Sequence, residues 1–193
     1  MPRLTPENKE QHTLLMRENI CRTFAEMFAE QGDVSMEQLA EKTGIAKGTI
    51  YNYFKDKKEL TAAVMEIRRK AMIELMEREI DHALPASKQL ELFVRIMWRD
   101  FDTHRHLRME YLRNNPVRPF PLRPRPLDLL KRIIDQGIAS SEFRQTDSEE
   151  AALFVFFSLI GKFRHFLLKN LAPDPEREAA VALEFLLPAL QKH

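Results

Sequence analysis

The sequence is poor in the residues on which several protein classes depend. It has one cysteine, Cys21, and five glycines among 193 residues. A single cysteine excludes an intramolecular disulfide framework and the metal sites that are built from several cysteines. The sequence also lacks a glycine-rich phosphate loop, a His-Glu-x-x-His pair and a Gly-x-Ser-x-Gly motif. We therefore expect no catalytic site, no metal and no cofactor.

Charge and hydropathy are also unexceptional over most of the chain. The 30 Lys and Arg residues balance 29 Asp and Glu residues, so the total charge gives no reason to expect nucleic-acid binding. Four lysines nevertheless cluster locally, at positions 47, 55, 57 and 58. The longest nearly apolar run, 151–161, is about half as long as a membrane-spanning helix, and Lys162 and Arg164 end it. The polar N-terminus has no signal-peptide pattern. We expect a cytoplasmic protein with no membrane partner.

Apolar residues recur at helical spacing nearly throughout, which predicts an all-α fold without a sheet. The first helix is expected from about Glu10 to Gln31, with Gly32 as its end. Ser35 and Gln38 have the spacing of a capping box and should start a second helix that ends at Gly44. A short third helix is predicted over Lys47–Tyr53, and Asp56 with Glu59 should cap a long fourth helix that reaches about Ile80.

The C-terminal part should continue as helices after Pro85. The segment from Asn115 to Pro126 carries five of the eleven prolines and is predicted to be a loop. It is either a plain connection or, through its Pro-x-x-Pro spacing, a polyproline II ligand for a partner domain. Helices are predicted over 87–103, 104–114, 127–138, 148–170 and 174–192. Thr146 or Asp147 should cap the start of the helix 148–170, and Asp174 should cap the start of the last helix.

The two short helices around Thr43-Gly44-Ile45 have the layout of a helix-turn-helix. In that motif the second helix lies in the DNA major groove and reaches base edges with side chains near its N-terminus. The alternative is an ordinary helical hairpin. The candidate base contacts are Thr49, Tyr51 and Tyr53, with Asn52 as a further possibility; the candidate phosphate contacts are Lys47, Gly48 and Lys57; and Ser35, at the start of the preceding helix, completes the DNA-binding set.

Residues 17–67 resemble the DNA-binding region of the TetR family of bacterial transcription regulators. The matching positions are Ile20-Cys21, Met27-Phe28, Gly32, Met36, Leu39-Ala40, Gly44-Ile45, Lys47-Gly48-Thr49-Ile50-Tyr51, Tyr53-Phe54, Lys57 and Glu59-Leu60. Two features depart from the family pattern. The link from Gly32 to Met36 is two residues shorter than usual, and Ala46 stands where a Ser or Thr cap is common.

The resemblance implies a homodimer that binds a palindromic double-stranded DNA operator, acts as a repressor and is released by a small-molecule inducer. It implies an N-terminal three-helix DNA-binding domain over residues 1–55 and a C-terminal helical bundle over 56–193 for ligand binding and dimerisation. The fourth helix, from Asp56 to about Ala83, would carry the change between them. The alternative function is a helical small-molecule-binding or interaction module without sequence-specific DNA binding.

Three further groups of residues have a functional and a plainer interpretation. Aromatic and methionine residues, typical both of an apolar or aromatic ligand pocket and of a helical core, lie at Met72, Phe93, Met97, Trp98, Phe101, Met109, Tyr111 and Phe157. The last two helices could form the dimer interface or an intramolecular core through Phe156, Phe163, Phe166, Leu183 and Leu187. His106 and Glu110 have a spacing that suits a metal, but a solvated helix is the simpler interpretation. Cys21 is interpreted as a packed thiol rather than a redox sensor.

Overall fold

A computed structural model describes residues 6–114 and 125–192, and over these residues the fold is all-α. Within these ranges an isolated antiparallel bridge between Phe143 and Gln191 is the one β-type pairing. The helices there are α1 (Pro6–Gln31), α2 (Met36–Thr43), α3 (Lys47–Tyr53), α4 (Lys57–Glu79), α5 (Ala86–Thr103), α6 (Arg105–Asn114), α7 (Arg125–Ala139), α8 (Ser148–Lys169) and α9 (Pro175–Leu190). The predicted all-α fold is confirmed.

The chain divides into two compact units. The first unit combines residues 6–69 with 106–114, and the second combines Lys70–Arg105 with 125–192. The first unit therefore takes most of α6 from a distant part of the sequence. The functional boundary predicted between residues 55 and 56 stays a prediction.

The core of the first unit follows the apolar stripe of α1. Ile20, Phe24, Met27 and Phe28 are buried there, as the spacing predicted. They pack with buried Leu39, Ile50 and Leu60 of the next three helices and with Val34 and Phe54 of the links between them. Cys21 is buried in the same core, and burial raises the pKa of its thiol to about 11. The packed-thiol interpretation is therefore confirmed.

Local side-chain chemistry sets several helix ends where the sequence predicted them. The Ser35 hydroxyl accepts from the Gln38 backbone N–H at 3.1 Å, and the Ser35 backbone N–H donates to Gln38 Oε1 at 2.8 Å. Gly44 ends α2 in the left-handed region with φ +68°, where glycine carries no side-chain penalty. Asp147 caps α8 and Asp174 caps α9 by accepting from two backbone N–H groups each.

The start of α7 differs from the prediction. The expected loop extended to Pro126, but α7 begins at Arg125. Proline is tolerated in the first turn of a helix because its missing N–H would have no intrahelical partner there. The rest of the predicted loop, 115–124, lies outside the described residues.

The second unit is built around α5, which packs against α7 and α9, while α7 also packs against α8. The Trp98 ring on α5 lies edge-on to Phe163 of α8, with 4.6 Å between ring centroids. Glu142 caps α5 from a distance, because its carboxylate accepts from the Ala86 and Ser87 backbone N–H groups at 2.7 and 3.0 Å. This unit therefore joins its helices through both aromatic packing and backbone capping.

The whole of helix α8 is more apolar than expected from the length of its longest apolar run, 151–161. By length and composition alone it could cross a membrane, with a mean hydropathy of 1.6 and a third (33%) of the tested window buried. One such helix is weak evidence, since a core helix passes the same test. Residues along one side of α8, among them Val155, Leu159 and Phe163, are buried in the second unit.

Candidate functional site

The helix pair α2–α3 forms the candidate reading head. Ile50 is fully buried and holds α3 against the core of the first unit. The opposite side of α3 presents Lys47, Gly48, Tyr51 and Asn52 to solvent. Thr49 and Tyr53 are half-buried, and Tyr53 packs partly on the core. The arrangement can place basic, hydroxyl and amide groups against a nucleic acid while the apolar side stays packed.

The two ends of α3 are held differently. Ala46 makes no side-chain cap at the N-terminal end, as expected from its lack of a hydroxyl. At the C-terminal end, Arg17 of α1 donates to the Tyr53 backbone carbonyl. The Arg17 guanidinium also lies over the Phe54 ring, 4.3 Å from its centroid. A cation at the last carbonyl groups of a helix satisfies acceptors that have no intrahelical partner, and it interacts favourably with the negative end of the helix dipole. Arg17 therefore helps to fix the position of α3.

Lys47, at the start of α3, is held by its neighbours. It forms an ion pair with Glu37 of α2, and its Nζ lies 5.8 Å from the centroid of the Tyr51 ring. The hydrogen bond from Lys47 lowers the pKa of the Glu37 carboxyl. Both partners are well exposed, so this pair contributes little to stability. It can exchange for another anion at low cost.

Lys57, at the start of α4, has two acidic partners. Its Nζ lies 2.7 Å from Asp33 Oδ1, in the link before α2, and 3.3 Å from Glu110 Oε1 of α6. The hydrogen bond from Lys57 lowers the pKa of Asp33. Sequence reasoning proposed Lys57 as a phosphate contact but missed both carboxylates. Asp33 and Glu110 are both far from Lys57 in the sequence, so no local sequence pattern could have identified them as its partners.

Ser35 is engaged in the capping box at the start of α2, where its hydroxyl accepts from the Gln38 backbone N–H. The Ser35 side chain also forms a hydrogen bond with the Glu37 carboxyl, which helps to lower the pKa of that carboxyl. The predicted DNA-binding residues thus all lie in the first unit, on α2, α3 and the first turn of α4.

The predicted pocket residues do not all lie in one unit. Met72 of α4 and four residues of α5 (Phe93, Met97, Trp98 and Phe101) are buried in the second unit. Met109 and Tyr111 of α6 are half-buried in the first unit. Phe157 of α8 is 45% exposed. The five buried residues remain candidates for a ligand site, and Phe157 lies on the surface instead.

Trp98 has an unusual polar atom for a core residue. Its ring is fully buried, yet its Nε1–H has no hydrogen-bond acceptor within the described part of the chain. A buried donor without a partner carries a desolvation cost of about 1–3 kcal/mol. Such groups are few in folded proteins, and each calls for an explanation such as an ordered water molecule or a functional role.

Three of the five residues predicted for the dimer surface are buried within the chain itself. Phe156, Phe163 and Leu183 face the core of the second unit, while Phe166 and Leu187 are half-buried. Other apolar side chains of α8 and α9 are exposed instead. These exposed apolar side chains of α8 and α9, together termed the α8–α9 face, are Phe154 (70% exposed), Phe157, Leu168 (71%) and Phe185 (73%). Gly161 lies at the same face of α8, and a Cβ there would have no neighbour within 4 Å.

The metal interpretation of His106 and Glu110 receives no structural support. Across residues 6–114 and 125–192, no group of three or more His, Cys, Asp or Glu side chains is placed to hold a metal ion. Glu110 is paired with Lys57, and the His106 ring packs near Gly32, 3.5 Å from where a Cβ would lie.

Known proteins resemble this chain in both sequence and fold. Residues 22–64 match the family model for bacterial regulatory proteins of the tetR family. The fatty acid metabolism regulator protein of Bacillus subtilis (strain 168) is 32% identical over 71 residues, which span 36% of this chain and 37% of that protein. The sequence match thus covers little more than a third of that relative.

Two solved structures resemble the fold over nearly the whole chain. A TetR-family transcriptional regulator from Pectobacterium atrosepticum has a TM-score of 0.77 at 21% identity, with 95% of this chain and 97% of that chain covered. The regulator FadR from Bacillus subtilis, in complex with stearoyl-CoA, has a TM-score of 0.63 at 20% identity, with 90% and 99% covered. Residues 22–64 thus match a tetR-family region that contains the reading head of α2 and α3, and nearly the whole chain shares its fold with these two solved regulators.

Proposed function

We propose that the protein is a ligand-responsive DNA-binding transcriptional regulator, without catalytic activity, that acts in the cytoplasm. It binds a palindromic operator as a homodimer and represses until a small-molecule inducer releases it. The observation that carries the DNA-binding part is the outward side of α3, where Lys47, Tyr51 and Asn52 are exposed beside half-buried Thr49. A purely structural hairpin does not require a large aromatic side chain such as Tyr51 to be exposed beside a lysine.

The operator contacts are tested by replacing Thr49 or Tyr51 with Ala. Each variant is expected to bind a specific duplex about 5- to 150-fold more weakly, since a lost base contact costs about 1–3 kcal/mol. Lys57→Ala should instead weaken all duplexes alike and reduce the salt slope by about one unit per chain. Affinities are measured by titration at several salt concentrations, against a duplex selected from a random library by the wild-type protein and against a shuffled duplex.

Thr103→Ala, at an exposed position of α5, is the matched control and should bind DNA as the wild type does. Unchanged affinity in folded Thr49→Ala and Tyr51→Ala would remove these two residues from the interface. A wild-type protein that shows no salt-dependent preference for any selected duplex would favour the alternative function, a helical ligand-binding module.

Dimerisation is proposed to use the α8–α9 face. Large apolar side chains exposed together on one surface mark an interaction site, and Phe154, Leu168 and Phe185 are each at least 70% exposed. Gly161 supports close approach of a second backbone at this face, because it has open space where a side chain would be. A two-fold contact between identical copies uses such a face twice.

The inducer is proposed to be a largely apolar molecule with a hydrogen-bond acceptor, bound in the second unit near Trp98. The buried Trp98 Nε1–H supplies a donor for that acceptor, and the neighbouring rings of Phe101, Phe163 and Phe166 supply apolar surface within 5.8 Å of the Trp98 ring. The similar regulator from Bacillus subtilis was solved with stearoyl-CoA. Fatty acyl-CoA is therefore the first class of ligand to test.

Trp98→Phe is expected to weaken the response to stearoyl-CoA about 5- to 10-fold while DNA affinity in its absence stays unchanged. The substitution keeps a buried aromatic ring and removes only the indole donor, whose net hydrogen bond is worth about 1 kcal/mol. Release of a labelled selected duplex is measured as stearoyl-CoA is added. Equal release by wild type and variant would exclude Trp98 as the ligand donor, and no release from the wild type would exclude this ligand class.

A further inference from the structure

Lys57 is the one predicted phosphate contact whose ammonium group already has two carboxylate partners in the structure. Asp33 Oδ1 lies 2.7 Å and Glu110 Oε1 lies 3.3 Å from its Nζ. The Lys57 side chain is 27% exposed and its Nζ lies 5.2 Å from the centroid of the Phe28 ring. The ammonium group is therefore held against the first unit, within reach of solvent on one side.

Of the two carboxylates, Glu110 is the more constrained. Its side chain is 13% exposed, against 78% for Asp33. Asn114 Nδ2, one turn along α6, donates to Glu110 Oε1 at 3.0 Å. Asp33 Oδ1 also accepts from the Val34 backbone N–H at 2.8 Å, so the two carboxylates differ chiefly in burial. Water screens the exposed Asp33 pair more strongly than the half-buried Glu110 pair.

The position of α6 is set at the same corner of the first unit. One turn before Glu110, the His106 ring packs at Gly32, which ends α1 with φ +75°. Asp33 follows Gly32 directly. α6 thus contacts this unit at the Gly32–Asp33 corner and at Lys57, and it also contributes buried Leu107 to the core.

A carboxylate next to an ammonium group acts on an approaching phosphate in two ways. It occupies one of the three donors of the lysine, and it repels the phosphate directly at a distance well inside the Debye length of about 8–10 Å. Both effects lower the net attraction between Lys57 and DNA. They disappear when α6 withdraws the carboxylate from the ammonium group.

We propose that Glu110 is an affinity-determining residue that weakens DNA binding by holding Lys57 and opposing a backbone phosphate. This inference rests on the proposed DNA-binding function and adds a regulatory residue outside the reading head. The contact between α6 and Lys57 then sets the strength of DNA binding, and any displacement of α6 changes it.

The test is a double-mutant cycle with Glu110→Gln and Lys57→Ala. Glutamine keeps an oxygen for Asn114 and removes the negative charge, which also ends the long ion pair between Glu110 Oε2 and Arg113 Nη1 at 3.9 Å. Glu110→Gln is expected to bind both the selected and the shuffled duplex about 3- to 10-fold more tightly than the wild type at low salt, since the net effect is that of one partly screened charge pair. In the Lys57→Ala background the gain should be clearly smaller, because only the direct repulsion between the carboxylate and the phosphate is then removed.

Glu26→Gln, at an exposed position of α1, controls for the general gain from removing one negative charge. The proposal is overturned if Glu110→Gln gains no more than Glu26→Gln, if its affinity falls, or if the full gain persists without Lys57. Glu110→Ala provides a second variant, and thermal unfolding verifies that each protein is folded. Absence of any salt-dependent duplex binding by the wild type would instead overturn the proposed function itself.

Discussion

Phe185→Glu should convert the proposed homodimer into monomers. Phe185 is 73% exposed in the single chain, and burial of a Phe side chain is worth about 1.5–3 kcal/mol. A two-fold interface contains the residue twice, so the substitution removes about 3–6 kcal/mol per dimer. The dimer dissociation constant should then rise at least about 100-fold. Sedimentation velocity over a range of protein concentrations measures this change.

A matched substitution elsewhere distinguishes this interface from a general effect of exposed charge. Leu15 of α1 is 59% exposed and lies in the first unit, so Leu15→Glu should leave the dimer intact. Phe185→Glu should also lose binding to a palindromic duplex while a folded monomer keeps its helical signal. A Phe185→Glu protein that remains a dimer at nanomolar concentration would place the interface away from this part of α9.

Gly137→Ala should destabilise the protein by about 3 kcal/mol, at the upper end of the cost of overpacking. A Cβ on Gly137 of α7 would lie 2.2 Å from Cδ2 of Phe143, which is far inside van der Waals contact. Phe143 is fully buried, and its backbone N–H donates to the Gly137 carbonyl at 2.8 Å. The ring cannot move without disturbing this turn. Thermal unfolding should show a midpoint lowered by about 6–12 °C.

A smaller side chain at position 143 should partly relieve the clash. Phe143→Leu alone should lower the free energy of unfolding because ring packing is lost. The double variant Gly137→Ala/Phe143→Leu should nevertheless lose less stability than the sum of the losses of the two single variants. The difference reports the contact between the two residues directly. Additive costs, or a Gly137→Ala protein as stable as the wild type, would show that the space beside α7 can accept a methyl group.

Much of the fold is predictable because the helix ends are determined by residues close to them in the sequence. Ser35 with Gln38, Gly44, and Asp174 followed by Pro175 each act within four residues of the end that they set. The buried stripe of α1 is equally readable, since polar residues mark its outer side. For these elements the chemistry of a short segment is sufficient, and the surrounding structure agrees with it.

The local sequence of α8 does not determine which side of this helix faces the core. Phe154, Phe156, Phe157 and Phe163 are all apolar, so the periodicity gives no polar side that marks solvent. The structure buries Phe156 and Phe163 and exposes Phe154 and Phe157. Which side faces inward depends on the shape of the other helices in the unit, and in particular on the Trp98 ring that packs against Phe163.

The polar contacts around the candidate site were missed for a different reason. Arg17 reaches the Tyr53 carbonyl, and Glu110 reaches Lys57, from helices far away along the chain. Charged residues occur at many positions of a helical surface, and only the packing of α1 and α6 selects these two. The reading head could therefore be located from sequence, whereas the groups that hold it could not.

The chemistry of Cys21 allows the spacing of the two reading heads in the proposed homodimer to be measured with site-specific labels. It is the sole cysteine of the chain, and with a thiol pKa of about 11 only about one molecule in a thousand is ionised at pH 8. A thiol introduced on the exposed side of α3, as in Asn52→Cys, would react with a spin label far faster. A labelled homodimer would then carry one probe on each head. Its probe-to-probe distance could be compared with the spacing of about 34–36 Å between successive major grooves, with and without an inducer.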